Sequence, residues 1–232
     1  MSVPGHYLRR PAGPGAADLL AFERLFAEQV APGTGQPIRY ELTAPKWQLL
    51  CWMTQFEDVV LHGSNSSSHG TVQPRPADDV TEFGAQDAVY GASDGLWPMY
   101  FAIADRTVVT SLVNACVHLA DARVDPRHYY FFSIGPDDPT REPWVSGTVY
   151  VLPRDTFSPE PDDTWLGQRC AATQWVSPVP VSPLARLDVT PEDFPFLHQV
   201  RRHDPSALAA RAERDPTAFP WLDDDEDAVP LG

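Results

Sequence analysis

Three short stretches of this chain place chemically capable side chains at the ends of apolar runs. Leu61-His62-Gly63-Ser64 closes one run, Val89-Tyr90-Gly91-Ala92-Ser93 closes a second, and Gln174-Trp175 lies in a third. Histidine serves as a metal ligand or as an acid–base group, so its spacing decides first. The next histidine after His62 is His69, and no helical i, i+4 pair or Cys-x-x-Cys accompanies them, so no metal is expected. No Gly-x-Ser-x-Gly elbow, Gly-x-Gly-x-x-Gly turn or phosphate-binding loop occurs, which removes the common hydrolase and nucleotide folds. Taken singly, the same residues have plain roles. His62 in an apolar strand is a core histidine with satisfied nitrogens. Tyr90 is a core residue, and Trp97, Tyr100 and Phe101 pack one helix, with Tyr100 keeping a polar tip free.

Taken in order, the three stretches resemble the ADP-ribosyltransferase superfamily, in its diphtheria-toxin-like and poly(ADP-ribose)-polymerase-like branch. The resemblance covers about residues 58–190 and rests on short motifs. His62-Gly63-Ser64 matches the His-Gly-Ser/Thr of that family's first core strand. The run from Asp87 to Ser93 is similar to its Gly-x-Tyr-Phe-Ala-type strand, which leads into a helix. That helix carries an aromatic that stacks on nicotinamide, and Tyr100 or Phe101 falls at its place. The third strand departs from the pattern, with Gln174 where the family has glutamate.

The resemblance implies an α+β fold whose split, largely antiparallel central sheet surrounds an NAD cleft. His62, Tyr90 and Gln174 are then the catalytic set, and Gly63, Ser64, Arg75, Ser93, Tyr100 and Phe101 are further contacts to NAD, the substrate. Breaking the nicotinamide bond passes through an oxocarbenium-like state, as glycoside hydrolysis does. His62 would hydrogen-bond the adenosine ribose. Gly63 would let its backbone approach the carboxamide because it lacks a side chain. Tyr90 would form an aromatic floor under the ring, and Arg75 would reach the pyrophosphate. A glutamate would stabilise the developing positive charge. Gln174 keeps a hydrogen-bond acceptor without that charge, so the resemblance implies NAD binding more firmly than turnover.

The elements that must position these residues follow from periodicity and punctuation. Asp18 caps a helix through Leu19, Leu20, Phe22, Leu25 and Phe26 that ends at Pro32-Gly33. Residues 38–42 alternate as a strand, and Pro45 opens a second helix through Trp47, Leu50, Cys51 and Trp52. Strands at 58–64 and 88–93 carry His62 and Tyr90. Asp94 caps a helix over 95–104, with Pro98 in its first turn. Further strands are expected at 108–117, 128–134, 147–152, 173–181 and 184–189, and helices at 193–202 and 206–213. The polar stretch 65–82 is long for an internal connection and is expected to border the pocket as a lid. Residues 1–16, rich in Pro and Gly, are expected as a loose arm, 17–215 as a single α+β domain, and 216–232 as an acidic disordered tail.

Composition bounds the partners. With 17 Lys+Arg against 32 Asp+Glu, the formal net charge is −15. That balance opposes nucleic acid as a general partner and docking on anionic membranes. No run reaches the roughly 18 apolar residues of a membrane span. Residues 1–10 lack an apolar signal core, and three scattered cysteines read as reduced thiols, so a cytoplasmic location is expected. The function expected is transfer of ADP-ribose from NAD to a protein or small-molecule acceptor. One alternative is a non-catalytic binding or protein-interaction module with a degenerate cleft. The other is an NAD-dependent RNA 2′-phosphotransferase, which the negative charge disfavours.

Overall fold

Two strands are mostly apolar without alternation because both of their faces are covered. The computed structural model describes residues 3–65, 70–76, 83–119, 127–138, 140–161 and 163–222. In chain order the strands are β1 (Leu8–Arg9), β2 (Val59–Ser64), β3 (Arg75–Pro76), β4 (Asp87–Ala92), β5 (Val109–Leu119), β6 (His128–Pro136) and β7 (Gly147–Pro153). They continue with β8 (Ser158–Pro159), β9 (Asp163–Trp165), β10 (Gln168–Ala171), β11 (Gln174–Ser177), β12 (Ala185–Val189) and β13 (Arg201–Arg202). The helices are α1 (Ala16–Leu25), α2 (Lys46–Phe56), α3 (Leu96–Ile103) and α4 (Pro205–Arg214). On β6, Tyr130, Phe132 and Ile134 face the main core, while Phe131 faces a smaller cluster with Tyr7, Leu208, Phe219 and Trp221. On β7, Val149 and Val151 join the main core, and Tyr150 and Leu152 join another cluster with Val60, Val89 and Phe157. Strands buried on both faces lose the polar alternation of half-exposed ones.

The fold is α+β with mostly antiparallel sheets. One sheet runs β1-β6-β5-β10-β9, with β13 added in parallel on β6. The other runs β12-β7-β2-β4-β11-β8, with β3 on the edge of β4. Helix α3 lies between the sheets. Its sequence, LWPMYFAI, has no charged residue, as a helix held between two sheets with only Trp97 and Phe101 partly exposed requires. Tyr100 packs against Phe132 of the first sheet at 4.7 Å between ring centroids, and Trp97 Nε1 donates to Asn114 Oδ1 of β5 at 2.6 Å. On the other side the backbone of α3 presses on the second sheet at two glycines. A Cβ on Gly63 would lie 1.9 Å from Pro98 O, and one on Gly147 would lie 2.0 Å from Ala102 O.

Several expectations need correction. Helix α1 begins before Asp18, whose side chain reaches back to accept the Gly15 N–H at 3.1 Å, and its last turn widens into a π-helical stretch over Phe26–Val30. Residues 38–42 form no strand. Only an isolated bridge, Pro37 to Arg186, ties that region to β12. The helix expected over 193–202 is replaced by two 3-10 turns, Pro191–Asp193 and Leu197–Gln199, and then β13. Pro195 explains this, because it disfavours helical backbone at Phe194. The amino-terminal arm is not loose: Leu8 and Arg9 pair with Tyr130 and Tyr129. The tail is packed as far as Leu222, with Phe219 against Phe131 and Trp221 Nε1 donating to Asp215 O at 2.9 Å. The acidic run 223–227 lies outside the described residues, as do parts of the 65–82 stretch. Among the described residues, no helix is long and apolar enough to cross a membrane.

Candidate functional site

Strand β2 keeps full register with β7, from Val59 opposite Pro153 to Ser64 opposite Thr148. On its other edge it meets β4 at a single pair, Leu61 opposite Ala92. Strand β4 in turn keeps register with β11, where Gln174 lies opposite Ala92 and Val176 opposite Tyr90. The seven-stranded sheet is therefore continuous across one row, Leu61–Ala92–Gln174, and parts between β2 and β4 on leaving it. His62 follows Leu61 directly, and Tyr90 lies two residues before Ala92. The three residues singled out by sequence thus sit on three neighbouring strands around one divergence.

The imidazole of His62 occupies that divergence. Its Nδ1 lies 2.8 Å from the Tyr90 carbonyl oxygen. A carbonyl only accepts, so Nδ1 carries a proton and donates to it. The side chain takes over an acceptor that continued pairing of β2 with β4 would otherwise use. The ring also lies against Tyr150, with centroids 6.4 Å apart. Tyr90 turns its own hydroxyl back onto the turn that precedes β4, within 2.6 Å of Gly84 O and 2.7 Å of Gln86 O. Gln174 is half-buried, and its backbone oxygen accepts from Glu160 N at 2.9 Å.

The remaining predicted residues divide. Ser93 extends the β4–β11 seam, its N–H bonded to Thr173 O at 3.0 Å and its hydroxyl to Ala172 O at 2.9 Å. Ser64 is half-buried at the end of β2, opposite Thr148. Phe101 is half-buried on α3, its ring 6.1 Å from Trp97. Arg75 is exposed on β3, opposite Ala88. Tyr100 is a correction: it is 0% exposed, and its hydroxyl donates to Ser133 O at 2.8 Å, so it is a core residue with no free tip. Gly63 is a correction of reason. Its missing side chain makes room for the α3 backbone, which already fills the space a Cβ would take.

Sequence reasoning missed the charged centre behind this site. Asp94 is fully buried, and its Oδ1 accepts from the N–H groups of Leu96 and Trp97, both at 2.8 Å, capping α3 as its type predicted. Its Oδ2 receives the Arg10 guanidinium, the Tyr130 hydroxyl at 2.7 Å and His118 Nε2 at 2.9 Å. Burial alone would raise the carboxyl's pKa, but Arg10 and His118 hold it well below the usual carboxylate range. Burial pushes the neighbouring thiols up, Cys51 to about 12, so they are not nucleophilic thiolates. The donor atoms of Asp94, Cys116 and His118 lie within 4.8 Å of one another. A cation there would share Asp94 Oδ2 with the guanidinium, so the group is an internally neutralised network. The sequence signal was confined to Asp94 as a cap, since Arg10 lies 84 residues away in a Pro/Gly-rich segment.

The divergence of β2 from β4, the imidazole held across it and the neutral amide on β11 make a site suited to holding a hydroxyl-rich ligand more than to strong acid–base work. Comparison of the chain with protein-family models, curated proteins and solved structures gives no match.

Proposed function

We propose that this protein binds NAD where β2 and β4 part, in the manner of an ADP-ribosyltransferase-like fold. One observation carries the proposal: the sheet holds together at the single pair Leu61–Ala92, with the His62 ring bonded across the gap to the Tyr90 carbonyl. The residues fit such a ligand. The His62 ring sits where the strands part, Gln174 lies across β4 from β2 in the same row, and Phe101 offers a half-buried aromatic face from α3. Bound NAD brings a nicotinamide leaving group. The chain's part is to fix the pose and limit water around the reacting ribose.

Gln174 favours a specific second reading, a binding module with little or no turnover. Its amide can hold a hydroxyl but supplies no negative charge beside a developing oxocarbenium. A partner protein or small-molecule acceptor belongs to the transferase reading, and nothing in the site calls for RNA. Calorimetric titration of the full chain with NAD, beside His62→Ala, tests both readings. Saturable binding that His62→Ala weakens about tenfold or more, the cost of one good ligand hydrogen bond, is expected. No heat at millimolar NAD would overturn both.

A further inference from the structure

The amino-terminal segment lies along the outer edge of β6. Leu8 and Arg9 pair with β6, the Arg10 N–H donates to His128 O at 3.0 Å, and Gln48 Nε2 donates to Ala12 O at 3.1 Å. Tyr7 packs on Phe131 and Trp165, with ring centroids 6.3 and 4.8 Å apart, and Leu8 packs on the main core. The deepest polar contact of the segment is the Arg10 side chain. The guanidinium reaches Asp94 Oδ2, Nε donates to Tyr130 Oη at 2.7 Å, and the group lies over the Tyr130 ring at 5.8 Å. A segment at the sheet edge therefore places its charge on the carboxylate that caps α3.

Both neighbours of that carboxylate lead to the candidate site. Ser93, one residue before it, is bonded to Ala172 and Thr173, which lead directly into Gln174. Helix α3, which begins two residues after it, carries Phe101 and presses its Pro98 carbonyl on Gly63 beside His62. From the sheet edge to the gap the path is Arg10, Asp94, then either Ser93 to Gln174 or α3 to Gly63. Each link is a hydrogen bond, a covalent neighbour or a tight backbone contact, which is the physical basis for coupling.

We propose that Arg10 is a positioning residue and that residues 4–15 form a strap whose attachment sets the first turn of α3 and, through it, the wall of the cleft. The effect on ligand binding rests on the NAD reading above; the coupling of strap to helix does not. The strap is held by a two-residue ladder, the Tyr7 and Leu8 side chains and Arg10, all at one sheet edge, and such an edge segment opens below the free energy of global unfolding, so the strap can detach while the sheets persist. Detachment leaves Asp94 without its guanidinium and gives the first turn of α3 a reason to reorganise. Anything that captures the strap would then act on the cleft from the opposite side of α3.

Two full-length variants test this, Arg10→Ala and Arg10→Lys, read by amide hydrogen exchange and by NAD titration. In Arg10→Ala, exchange over 94–104 should accelerate about tenfold while β7 stays protected, and NAD should bind about tenfold more weakly, within the range for residues acting through an intermediate element. Arg10→Lys keeps a charge for Asp94 but loses the Nε–H bond to Tyr130, and should fall between wild type and Arg10→Ala. If Arg10→Ala does not fold, Arg10→Lys carries the comparison. Unchanged exchange over 94–104 overturns the proposal. So does acceleration of 94–104 and β7 together, the mark of bulk stability alone, and so does a loosened α3 with unaltered NAD affinity. Selective loosening of α3 in a protein whose wild type ignores NAD supports the strap and overturns the NAD reading instead.

Discussion

On the NAD reading, Gln174 decides what chemistry is open where β2 and β4 part. It lies opposite Ala92 on the one row that joins the divided sheet, and its side chain has no hydrogen-bond partner among the described residues. An amide there can orient a sugar hydroxyl, but only a carboxylate adds charge stabilisation to a cationic transition state. Gln174→Glu should therefore raise release of nicotinamide from NAD by about 10²-fold, the usual size for one well-placed electrostatic group, with little change in affinity. Nicotinamide release by purified wild type and variant measures it. A variant that binds NAD and stays inert would remove position 174 from the reaction. Asp94 is the other decisive residue, for stability. Asp94→Asn keeps the shape and leaves Arg10 without its counter-charge, so unfolding free energy should fall by about 3–5 kcal/mol in a denaturant titration. A loss below 1 kcal/mol would mean that Arg10 finds other partners.

Helix α3 joins these residues into a site, and its fit depends on two glycines. Gly63→Ala puts a methyl group 1.9 Å from the Pro98 carbonyl oxygen, where no side-chain rotation relieves the clash. The helix backbone must move, which should cost about 1–3 kcal/mol in urea unfolding. The same element shows what was legible beforehand and what was not. An all-apolar octet behind an aspartate reads as a capped, buried helix, and β2, β4 and β11 were legible because each is a short apolar run with turn residues around it. The parting of β2 from β4 was not legible in local pattern, which does not reveal which strands pair or where they part. The false strand at 38–42 shows the limit. Its alternation is real, but only Ile38 N finds a sheet partner, Arg186 O at 2.7 Å. Arg10 on Asp94 was illegible for a related reason: nothing near either residue in sequence names the other.

For the whole molecule, acidity sets two effects against each other. A chain with formal charge −15 and an isoelectric point near 4.7 repels itself at neutral pH, and mild acidification relieves that repulsion. His128 opposes the gain. It lies on β6 opposite His118, ring centroids 3.9 Å apart, and burial first, then His118 and Arg10, lower its pKa to about 3. Its unfolded value is about 6.5, so the unfolded chain binds this proton more readily than the folded one. Its contribution is therefore full above pH 6.5 and declines as pH falls toward 3, with about 2 kcal/mol gone by pH 5. Asp94, whose pKa is depressed, keeps its contribution until pH falls below the usual carboxylate value near 3.8 and so does not act in this window. Urea midpoints at pH 7, 6 and 5 separate the two effects. Wild type should lose stability from pH 7 to 5, whereas His128→Gln, which keeps a polar side chain that cannot titrate, should hold level or gain as repulsion eases. Parallel curves for the two proteins would show that His128 takes up its proton in the folded state at an ordinary pH, and that the packed pair with His118 carries no acid sensitivity.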